Sequence, residues 1–583
     1  MEKRVLLAVV LSFIVLYGYE ALFTPPKPRP KPNAAPAAAN APPPAATPGQ
    51  AAVATAPAAP PPSEAPQPAT PAVAAIVSDT EERAVIVEND SVRAEFSTRG
   101  GVLKSWRLKK YEDSSRQPLE LVPTTVPPGS VRPFSLTVDD AAITATLRQA
   151  LYKPSATELH PGSSPATLTF EYQDASGLTA RKEFVFTPDN PYLVHFSADV
   201  RRGDAALLPT VEWGPALGSG IVASSRSYSP APQPIFYRDG SVTRVKTTKI
   251  QENPRQEGVF GFAGVDDHYF LTAAVPIGQP LVVAYRPVDV PIPGGDGKTV
   301  AHFVEWSARY ASAPKQARFF MGPKDFDVLA SIDRDLVRSI DFGIFAWIVV
   351  PLLRALKWVN HYIGNYGWSI IALTVIINLV MFPLRHKSVV SMRRMQEIQP
   401  EVKAIQERYS KLKMSDPAKQ KMNVELMNLY RERGVNPASG CVPMLLTLPV
   451  LFAFYSMLSV AIELRGAPFV FWIKDLSVHD PLFITPVLMG ITQFVQTKMT
   501  PSTADPMQQK MMMFMPLVMM IFFIWAPSGL VLYWTASNAW AIGQQWLTNK
   551  LIGPPPPHAV RPPAERRVKS AGGGKTDQAK ERK

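Results

Sequence analysis

The sequence predicts a multi-domain membrane protein, in which an α-helical polytopic bundle is joined to an antiparallel β-sandwich domain. Three observations predict this fold class. Nearly all the long apolar runs lie in the last third of the 583 residues, short β-rich runs separated by Gly and Pro fill the middle, and a Pro/Ala-rich stretch precedes them. The net charge of +13 is concentrated beside the apolar runs, so it indicates membrane topology rather than nucleic-acid binding.

Residues 1–23 predict an N-terminal transmembrane anchor. Lys3 and Arg4 precede the apolar run Val5–Tyr19, and no small-x-small cleavage site follows that run. A cleaved signal peptide is the alternative interpretation. The positive-inside rule places the N-terminus of an anchor in the cytoplasm. Residues 24–78 predict a disordered Pro/Ala-rich linker, because a stretch with so few large apolar side chains cannot bury a core.

Residues 79–323 predict the β-sandwich domain, which lies outside the cytoplasm if the anchor interpretation holds. Short runs such as Ala84–Glu88 and Val92–Ser97 are rich in β-forming residues and end at turn-forming residues. The cluster Asp266–His268 is the most suggestive polar group of this domain. It has two interpretations, an acid–base site or the capping residues of a turn before a strand.

Residues 324–366 predict connecting and interfacial amphipathic helices. Arg354, Lys357 and His361 recur at helical spacing and give one polar face, and Pro351 interrupts the apolar pattern. A helix of this kind lies in the membrane interface more readily than it spans the bilayer.

The C-terminal core, residues 367–549, is predicted to contain five spans and a helical hairpin. With the anchor, this makes six spans. The five core spans are placed at about 367–385, 441–463, 481–498, 509–526 and 529–548. The hairpin, 386–436, is cytoplasmic because Arg385–Asn436 contains twelve Lys and Arg against six Asp and Glu. It is either a solvated connector or a platform for a partner. The basic tail, residues 550–583, is also predicted to be cytoplasmic.

The first core span carries a polar stripe. Thr374 and Asn378 are four residues apart on one face of the predicted helix, and Arg385 follows on roughly the same face where the chain leaves the lipid. Hydroxyl and amide side chains in membrane helices often bond to a neighbouring helix, so packing is one interpretation. The other is a polar surface inside the membrane that a second molecule contacts.

The later spans repeat this pattern of polar but uncharged side chains. Gln493, Gln496, Thr535 and Asn538 are amides and hydroxyls, and no carboxylate lies at mid-membrane. The absence of intramembrane carboxylates disfavours a pump or an ion-coupled transporter, and no ring of charge or carbonyls indicates a channel filter. The methionines of the 509–526 span either suit a surface that accepts many apolar shapes or are ordinary packing residues.

No metal or cofactor is predicted. The single cysteine, Cys441, excludes an intrachain disulfide, and no Cys/His cluster has metal-ligand spacing. Two alternative functions remain open at this point. The chain could be a membrane-anchored glycan-binding module with passive helices, or a small-solute transporter, which would carry an inverted repeat.

Three ordered stretches, Glu463–Pro481, Ala504–Pro516 and Pro527–Asn538, closely resemble the membrane protein insertases of the Oxa/YidC family. The resemblance is close over about residues 341–547, and the order of anchor, tether and β domain also matches. It implies an insertase and chaperone of the bacterial inner membrane, with a periplasmic β domain, a five-span core and no enzymatic chemistry. The implied partners are nascent membrane proteins, the lipid bilayer, the Sec translocon, and the ribosome through the hairpin and basic tail, with no role for DNA.

The resemblance also implies a hydrophilic groove, open to cytoplasm and lipid, and assigns residues to it. Thr374 falls at the groove threonine of the family, Tyr533 and Trp534 at its aromatic pair, and Trp472 at its periplasmic-end tryptophan. Where the family commonly has an arginine, this chain has Asn378. We therefore hypothesise that Arg385 supplies the charge at the mouth of the groove. The predicted groove residues are Thr374, Asn378, Arg385, Gln493, Gln496, Tyr533, Trp534 and Asn538.

Overall fold

The computed structural model describes residues 74–552, apart from 114, 124–125, 127–129, 218–230, 276–277, 292–299, 313, 315, 410–417, 435–441 and 501–505. The predicted anchor, residues 1–23, lies outside the described residues. So do residues 24–73 of the predicted linker and residues 553–583 of the predicted basic tail.

Twenty-one strands lie in the described residues between 74 and 323. In chain order they are β1 Ala75–Val77, β2 Ala84–Glu88, β3 Val92–Ser97, β4 Val102–Glu112, β5 Pro118–Glu120, β6 Ser135–Thr137, β7 Lys153–Pro154, β8 Glu158–Leu159, β9 Ala166–Asp174, β10 Leu178–Phe186, β11 Leu193–Arg202, β12 Ala205–Leu207, β13 Thr210–Trp213, β14 Gln233–Arg238, β15 Ser241–Arg244, β16 Arg255–Gly258, β17 Phe262–Asp266, β18 Phe270–Val275, β19 Leu281–Pro291, β20 Val300–Tyr310 and β21 Ala317–Pro323.

These strands form three sheets, and the predicted antiparallel β-sandwich is confirmed. The largest has the order β1-β9-β10-β11-β21-β18-β17-β14-β15, with β12 on β11 and β7 on β9. The two five-stranded sheets have the orders β16-β19-β20-β13-β6 and β5-β4-β3-β2-β8. The pair β2–β8 is parallel, and the other pairs are antiparallel. The domain starts earlier than residue 79, because β1 pairs with β9 and is ordered by that contact.

Aromatic side chains join the sheets in a shared core. Trp213 on β13 stacks on Phe319 of β21 at 5.1 Å, and Phe134 lies 4.6 Å from the Trp213 ring. The indole of Trp106 on β4 donates to the Met321 carbonyl in the large sheet. Buried aromatic pairs contribute beyond their burial of apolar area, so these contacts hold the sheets in one domain.

Lys182 is an exception to the alternating apolar pattern of β10. Its side chain is fully buried, and its Nζ donates to the carbonyls of Gly100 at 2.7 Å, Gly101 at 3.2 Å and Phe134 at 2.7 Å. Both glycines have positive φ, at +72° and +56°, so the lysine satisfies the carbonyls of a turn that favours glycine. Burial lowers the pKa of Lys182 to about 7.

The contacts of the cluster Asp266–His268 favour capping of the turn before a strand over an acid–base site. Asp267 Oδ1 accepts from the backbone N–H groups of Tyr269 and Phe270, at 2.8 and 2.7 Å, and so caps the turn into β18. Asp266 is buried and pairs with Lys324 at 3.1 Å. His268 Nε2 lies 2.7 Å from the Ser459 carbonyl oxygen of α7, so the polar atoms of this cluster cap a turn and join separate elements of the fold.

Ten α-helices lie in the described residues. They are α1 Ala141–Gln149, α2 Phe326–Ile332, α3 Ala346–Ile363, α4 Tyr366–Glu397, α5 Gln399–Arg408, α6 Ala418–Glu432, α7 Val442–Val460, α8 Ile484–Met499, α9 Pro506–Phe523 and α10 Ser528–Ile552. Short 3₁₀ helices occur at Thr247–Glu252, Leu336–Ser339 and Ile462–Leu464.

The first core helix, α4, is longer than the predicted span 367–385. It runs for 32 residues past Pro383 to Glu397, because no glycine or capping residue stops it at Arg385. Among the described residues, α4 is the one helix that is both long and apolar enough to cross a membrane; two shorter apolar helical segments occur at Pro449–Val460 and Gln509–Phe523.

The hairpin that follows α4 buries its own apolar seam. Pro400 lies in the first turn of α5 and restarts the helix there. Ile398 and Val402 pack against Leu426 and Leu429 of α6. A second cluster of Ile405 and Tyr409 contacts the same helix. The seam is therefore covered within the hairpin, and the charged faces are left exposed.

Candidate functional site

The polar stripe of α4 is buried and bonded to its own helix. Thr374 Oγ1 donates to the Ile370 carbonyl at 2.6 Å, and Asn378 Nδ2 donates to the Thr374 carbonyl at 2.8 Å. The side chain of Thr374 has no exposed surface and that of Asn378 has 5%. These contacts join the two side chains through one turn of backbone. Within the described part of the chain, neither side chain forms a hydrogen bond to another predicted groove residue outside α4.

A second polar group spans the contact between α8 and α10. The indole Nε1 of Trp534 donates to Gln493 Oε1 at 3.0 Å, and Gln493 Nε2 donates to Gln496 Oε1 at 2.9 Å. All three side chains are half-buried. Asn538 is buried and donates to Thr492 Oγ1 at 3.3 Å. We call Trp534, Gln493 and Gln496 the amide–indole chain; it presents polar atoms at a partly exposed surface.

Tyr533 and Arg385 lie on the other side of α10. The Tyr533 ring is buried and stacks on Phe454 of α7 at 4.4 Å with an interplanar angle of 9°. Arg385 of α4 is half-buried. No carboxylate in the described residues forms an ion pair with Arg385. A guanidinium with a long stem can cover apolar surface and direct its charge towards water.

Trp472 holds the loop between α7 and α8. Its indole Nε1 donates to Asp480 Oδ1 at 2.9 Å. The Asp480 carboxylate is nearly fully buried and also accepts from the backbone N–H groups of Leu482 and Thr485. Because a buried carboxylate needs several donors, the Trp472 contact is part of what orders this loop.

The C-terminal end of α10 carries polar groups that the sequence pattern did not assign to the groove. Arg393 Nη2 of α4 donates to Asn549 Oδ1 at 2.6 Å, and Gln545 Nε2 donates to the same oxygen at 2.9 Å. Three further polar atoms on α10, at i, i+4 and i+8, are buried without a hydrogen-bond partner in the described part of the chain: Trp540 Nε1, Gln544 Nε2 and Thr548 Oγ1. Their regular spacing is a signal that could have indicated them.

Helix α9 provides the apolar counterpart of these polar groups. Its methionines, which include Met511, Met512, Met513 and Met515, are between 37% and 52% exposed. Phe514 is 68% exposed and Phe522 79% exposed. Large apolar side chains exposed on this scale mark a lipid-facing or partner-facing surface.

The chemical capacity of the site is hydrogen bonding and apolar contact. Its amides and indole are uncharged donors and acceptors, and no group of metal-ligating side chains occurs in the residues that the structure describes. The arrangement suits the binding of a polar segment within the membrane, because unpaired polar groups in lipid cost several kcal/mol each, on the order of the energy of a hydrogen bond.

Comparison with known proteins identifies the family. A family model described as the 60Kd inner membrane protein matches residues 358–554, and one described as the YidC periplasmic domain matches residues 84–355. The chain is 36% identical over 573 residues to the membrane protein insertase YidC of Geobacter metallireducens, covering 95% of this chain and 99% of that protein. It is 37% identical over 569 residues to the membrane protein insertase YidC of Geobacter sulfurreducens, covering 95% and 99%.

Among solved structures, a crystal structure of an active YidC insertase with the first transmembrane domain resolved is 18% identical and has a TM-score of 0.32, covering 81% of this chain and 94% of that chain. The matches to the named relatives confirm the predicted resemblance and support insertion rather than a glycan-binding module or a transporter. The protein is an inner-membrane protein with a periplasmic domain. The chain belongs to the family of YidC membrane protein insertases, which insert proteins into the membrane and are not enzymes.

Proposed function

We propose that this insertase receives the polar segment of a nascent membrane protein at the amide–indole chain of α8 and α10. The observation that carries the proposal is the Trp534–Gln493–Gln496 hydrogen-bond series. Its members are half-buried, so an incoming polar segment can exchange hydrogen bonds with them. Thr374, Asn378, Tyr533 and Asn538 are buried, and we assign them to the same groove.

The energetic role of the groove is to reduce the cost of bringing a polar segment into the membrane. Each polar group left unpaired in lipid costs several kcal/mol, on the order of 2–7. Amide donors and acceptors, with water, satisfy those groups during passage. Release follows from burial of the apolar helix of the substrate in lipid, at about 0.8 kcal/mol per CH₂ group.

The apolar helix of the substrate leaves along the third and fifth of the six proposed spans, counted with the anchor as the first. These two spans are α7 and α9. Exposed aromatic side chains on both helices support this route: Phe452 on α7 is 51% exposed, and Phe522 on α9 is 79% exposed. The flexible methionines of α9 adapt to substrates of different shape.

Arg385 supplies the positive charge at the mouth of the groove. Asn378 occupies the position where the family commonly has an arginine, and it is bonded within its own helix. Arg385 is half-buried and forms no ion pair with a described carboxylate, so its charge is available to an acidic substrate segment.

The proposed topology has six spans and cytoplasmic termini, and the proposed partners are the ribosome and the Sec translocon. The ribosome contacts the α5–α6 hairpin and the basic tail. The hairpin fits this role because its apolar seam is internal while its cations remain on the surface. The five-span core also acts together with the Sec translocon, and the two receive the same substrates.

The first test is insertion by the purified chain in liposomes without the translocon. The substrate is a two-span protein with a short acidic translocated segment, and protection from added protease is scored. Protection above that of empty liposomes is expected. Failure by folded, correctly oriented protein would contradict autonomous insertion and leave a translocon-dependent role.

The second test separates the groove from helix packing. A photoreactive amino acid in place of Gln496 is expected to crosslink to the stalled polar segment, whereas the same replacement at Trp546 is not. Trp546 is a matched control because it lies on α10, is 58% exposed and contacts Lys550. Trp534→Phe is expected to reduce insertion several-fold and Trp546→Phe to leave it unchanged. Equal crosslinking at both positions would contradict the groove assignment.

A further inference from the structure

A cavity of about 760 Å³ lies between the β domain and the start of the interfacial helix α3. It is an open cavity lined by the β14–β15 hairpin, by the connecting segment that includes the 3₁₀ helix Leu336–Ser339, and by the first turns of α3. None of the residues that line the cavity belongs to the proposed groove. Its volume is in the range of small-molecule sites, about 300–1,000 Å³.

Four ionised side chains line this cavity, with two charges of each sign: Arg334, Arg338, Asp335 and Asp341. Arg338 and Asp335 are paired with each other at 3.4 Å, and the Arg338 guanidinium also lies 5.1 Å from the centre of the Tyr237 ring. These two charges are therefore already compensated.

The other two charges are open to a ligand. Arg334 is exposed and has no ion pair or hydrogen bond within the described residues. The Asp341 side chain is 72% exposed, and its nearest cation is Arg244 at 3.9 Å, the outer limit of an ion pair. The cavity thus presents one uncompensated guanidinium and one weakly compensated carboxylate, which together match a ligand that carries both a negative and a positive charge.

The cavity lies beside a surface that is suited to the membrane. Phe342, Ala346 and Val350 form its apolar wall. Immediately next to this wall, Ile344 is 86% exposed and Trp347 is 74% exposed. Exposed aliphatic and tryptophan side chains at the start of an amphipathic helix are typical of a helix in the headgroup region of a bilayer. A ligand in the cavity therefore has access to the periplasmic leaflet.

We propose that this cavity binds the headgroup of a phospholipid with a primary ammonium group, as in phosphatidylethanolamine. The phosphodiester contacts Arg334, since a guanidinium recognises phosphate oxygens through paired donors. The ammonium group donates to the Asp341 carboxylate. The acyl chains lie along Ile344 and Trp347 and remain in the leaflet. Bound in this way, the lipid fixes the depth of α3 and the position of the β domain above the membrane.

The proposal makes a specific prediction about lipid selectivity. Phosphatidylcholine carries the same two charges, but its quaternary ammonium has no N–H donor for Asp341. Phosphatidylglycerol has the phosphodiester but no cation. We therefore expect the full chain to retain phosphatidylethanolamine over phosphatidylcholine by about tenfold, the size of one charge-assisted hydrogen bond.

The experiment measures the lipids that remain bound to the full chain after extraction from vesicles. The vesicles contain equal parts of phosphatidylethanolamine, phosphatidylcholine and phosphatidylglycerol, and native mass spectrometry identifies the retained lipid. Arg334→Gln is expected to abolish selective retention. Asp341→Asn is expected to remove the preference for phosphatidylethanolamine over phosphatidylcholine. Arg255→Gln, an exposed change outside the cavity, is the matched control and is expected to retain the preference.

Two further measurements, competition by soluble compounds and thermal unfolding, complete the test. Soluble phosphoethanolamine and inorganic phosphate are added as competitors, and displacement of the lipid by inorganic phosphate alone would show a free-phosphate site and overturn the lipid assignment. Thermal unfolding of each variant reports on folding, and little change is expected because Arg334 is exposed and the Asp341 side chain is 72% exposed. Equal retention of the three lipids, or retention unchanged by Arg334→Gln, would also overturn the proposal.

Discussion

Lys357 joins helix α3 to the start of α2 and to the segment after α7 through three carboxylates. Its Nζ lies 2.6 Å from Asp327 and 3.4 Å from Asp325 at the start of α2, and 3.1 Å from Glu463 beyond the end of α7. Burial alone would lower the pKa of Lys357, but Glu463, Asp327 and Asp325 outweigh that effect and raise it. One cation thus compensates three anions that come from two separate parts of the chain.

The prediction is that Lys357→Met loosens this junction. Removal of the lysine leaves Glu463, with 7% of its side chain exposed, and Asp325, with 17% exposed, as uncompensated anions close to each other. Removal of one partner of a buried ion pair costs about 3–5 kcal/mol. Because the Lys357 side chain is 25% exposed, water screens part of this loss, and we expect about 2–3 kcal/mol.

Asp327→Asn is the matched comparison. The Asp327 side chain is 63% exposed, so its removal leaves a lysine that still has two carboxylates and loses a solvent-screened contact. Such surface pairs contribute about 0–1 kcal/mol. The two variants change the same ion pair from opposite ends, and the predicted effects differ because only one of them leaves buried charges uncompensated.

The assay is amide hydrogen exchange of α3 in the full chain in detergent micelles. A loss of about 2–3 kcal/mol in local opening free energy accelerates exchange about 30- to 160-fold, whereas Asp327→Asn is expected to change it less than about fivefold. The deficit of Lys357→Met should shrink as the pH falls from 7 to 5, because protonation removes the uncompensated charge. In the unchanged chain the raised pKa of Lys357 means that its contribution is present below about pH 10, the usual lysine pKa, and is lost at higher pH.

The reasoning would be refuted by equal exchange rates in Lys357→Met and Asp327→Asn. Acceleration by both variants to the same large extent would show that α3 is held by the exposed contact with Asp327. No acceleration by either would show that apolar packing of α3 holds the junction, since Val349, Leu353, Leu356 and Val359 are all buried.

Three further predictions concern other contacts. Lys182→Met is expected to destabilise the β domain by about 2–4 kcal/mol in thermal unfolding, because three buried carbonyls lose their donor, while Arg181→Met on the exposed face of the same strand has little effect. Because the pKa of Lys182 is lowered to about 7, stability of the unchanged chain should rise relative to Lys182→Met as the pH increases from about 7 to 10, where the unfolded lysine still binds its proton; a flat difference would contradict this. Trp472→Phe removes the indole donor and should speed proteolysis of the loop between α7 and α8 several-fold, and unchanged cleavage would show that the loop is held by other contacts. Gly367→Ala places a methyl group 2.1 Å from a ring carbon of Phe469 and is expected to cost about 1–3 kcal/mol, measured as a lower midpoint of thermal unfolding.

Local patterns in the sequence predicted the elements of this protein. The apolar residues Ile398, Val402 and Ile405 recur at 3-4 spacing in the sequence, and they are buried in the hairpin seam. Pro400 lies in the first turn of α5, a position that proline favours. These features were predictable because they depend on helix periodicity and backbone geometry over a few residues.

The predicted groove depended on features that sequence spacing does not contain. Spacing placed Thr374 and Asn378 on one face of α4, but their burial depends on how the neighbouring helices pack. The bond from Trp534 to Gln493 joins residues that are 41 positions apart, and no short-range pattern indicates it. The helix that contains the first core span continues past Arg385 to Glu397 for a related reason, since a charged residue can continue a helix beyond an apolar segment.

By itself the sequence determined the class of the protein, its order of domains, the positions of its polar stripes and its resemblance to the insertase family. Only the tertiary structure decided which polar side chains meet, as with Lys357 and Glu463, which are brought to 3.1 Å from 106 positions apart. The physical reason is range. Periodicity and hydropathy act over one helix or strand, whereas hydrogen bonds and ion pairs between elements require the packing of the whole chain to bring their atoms within about 3–4 Å.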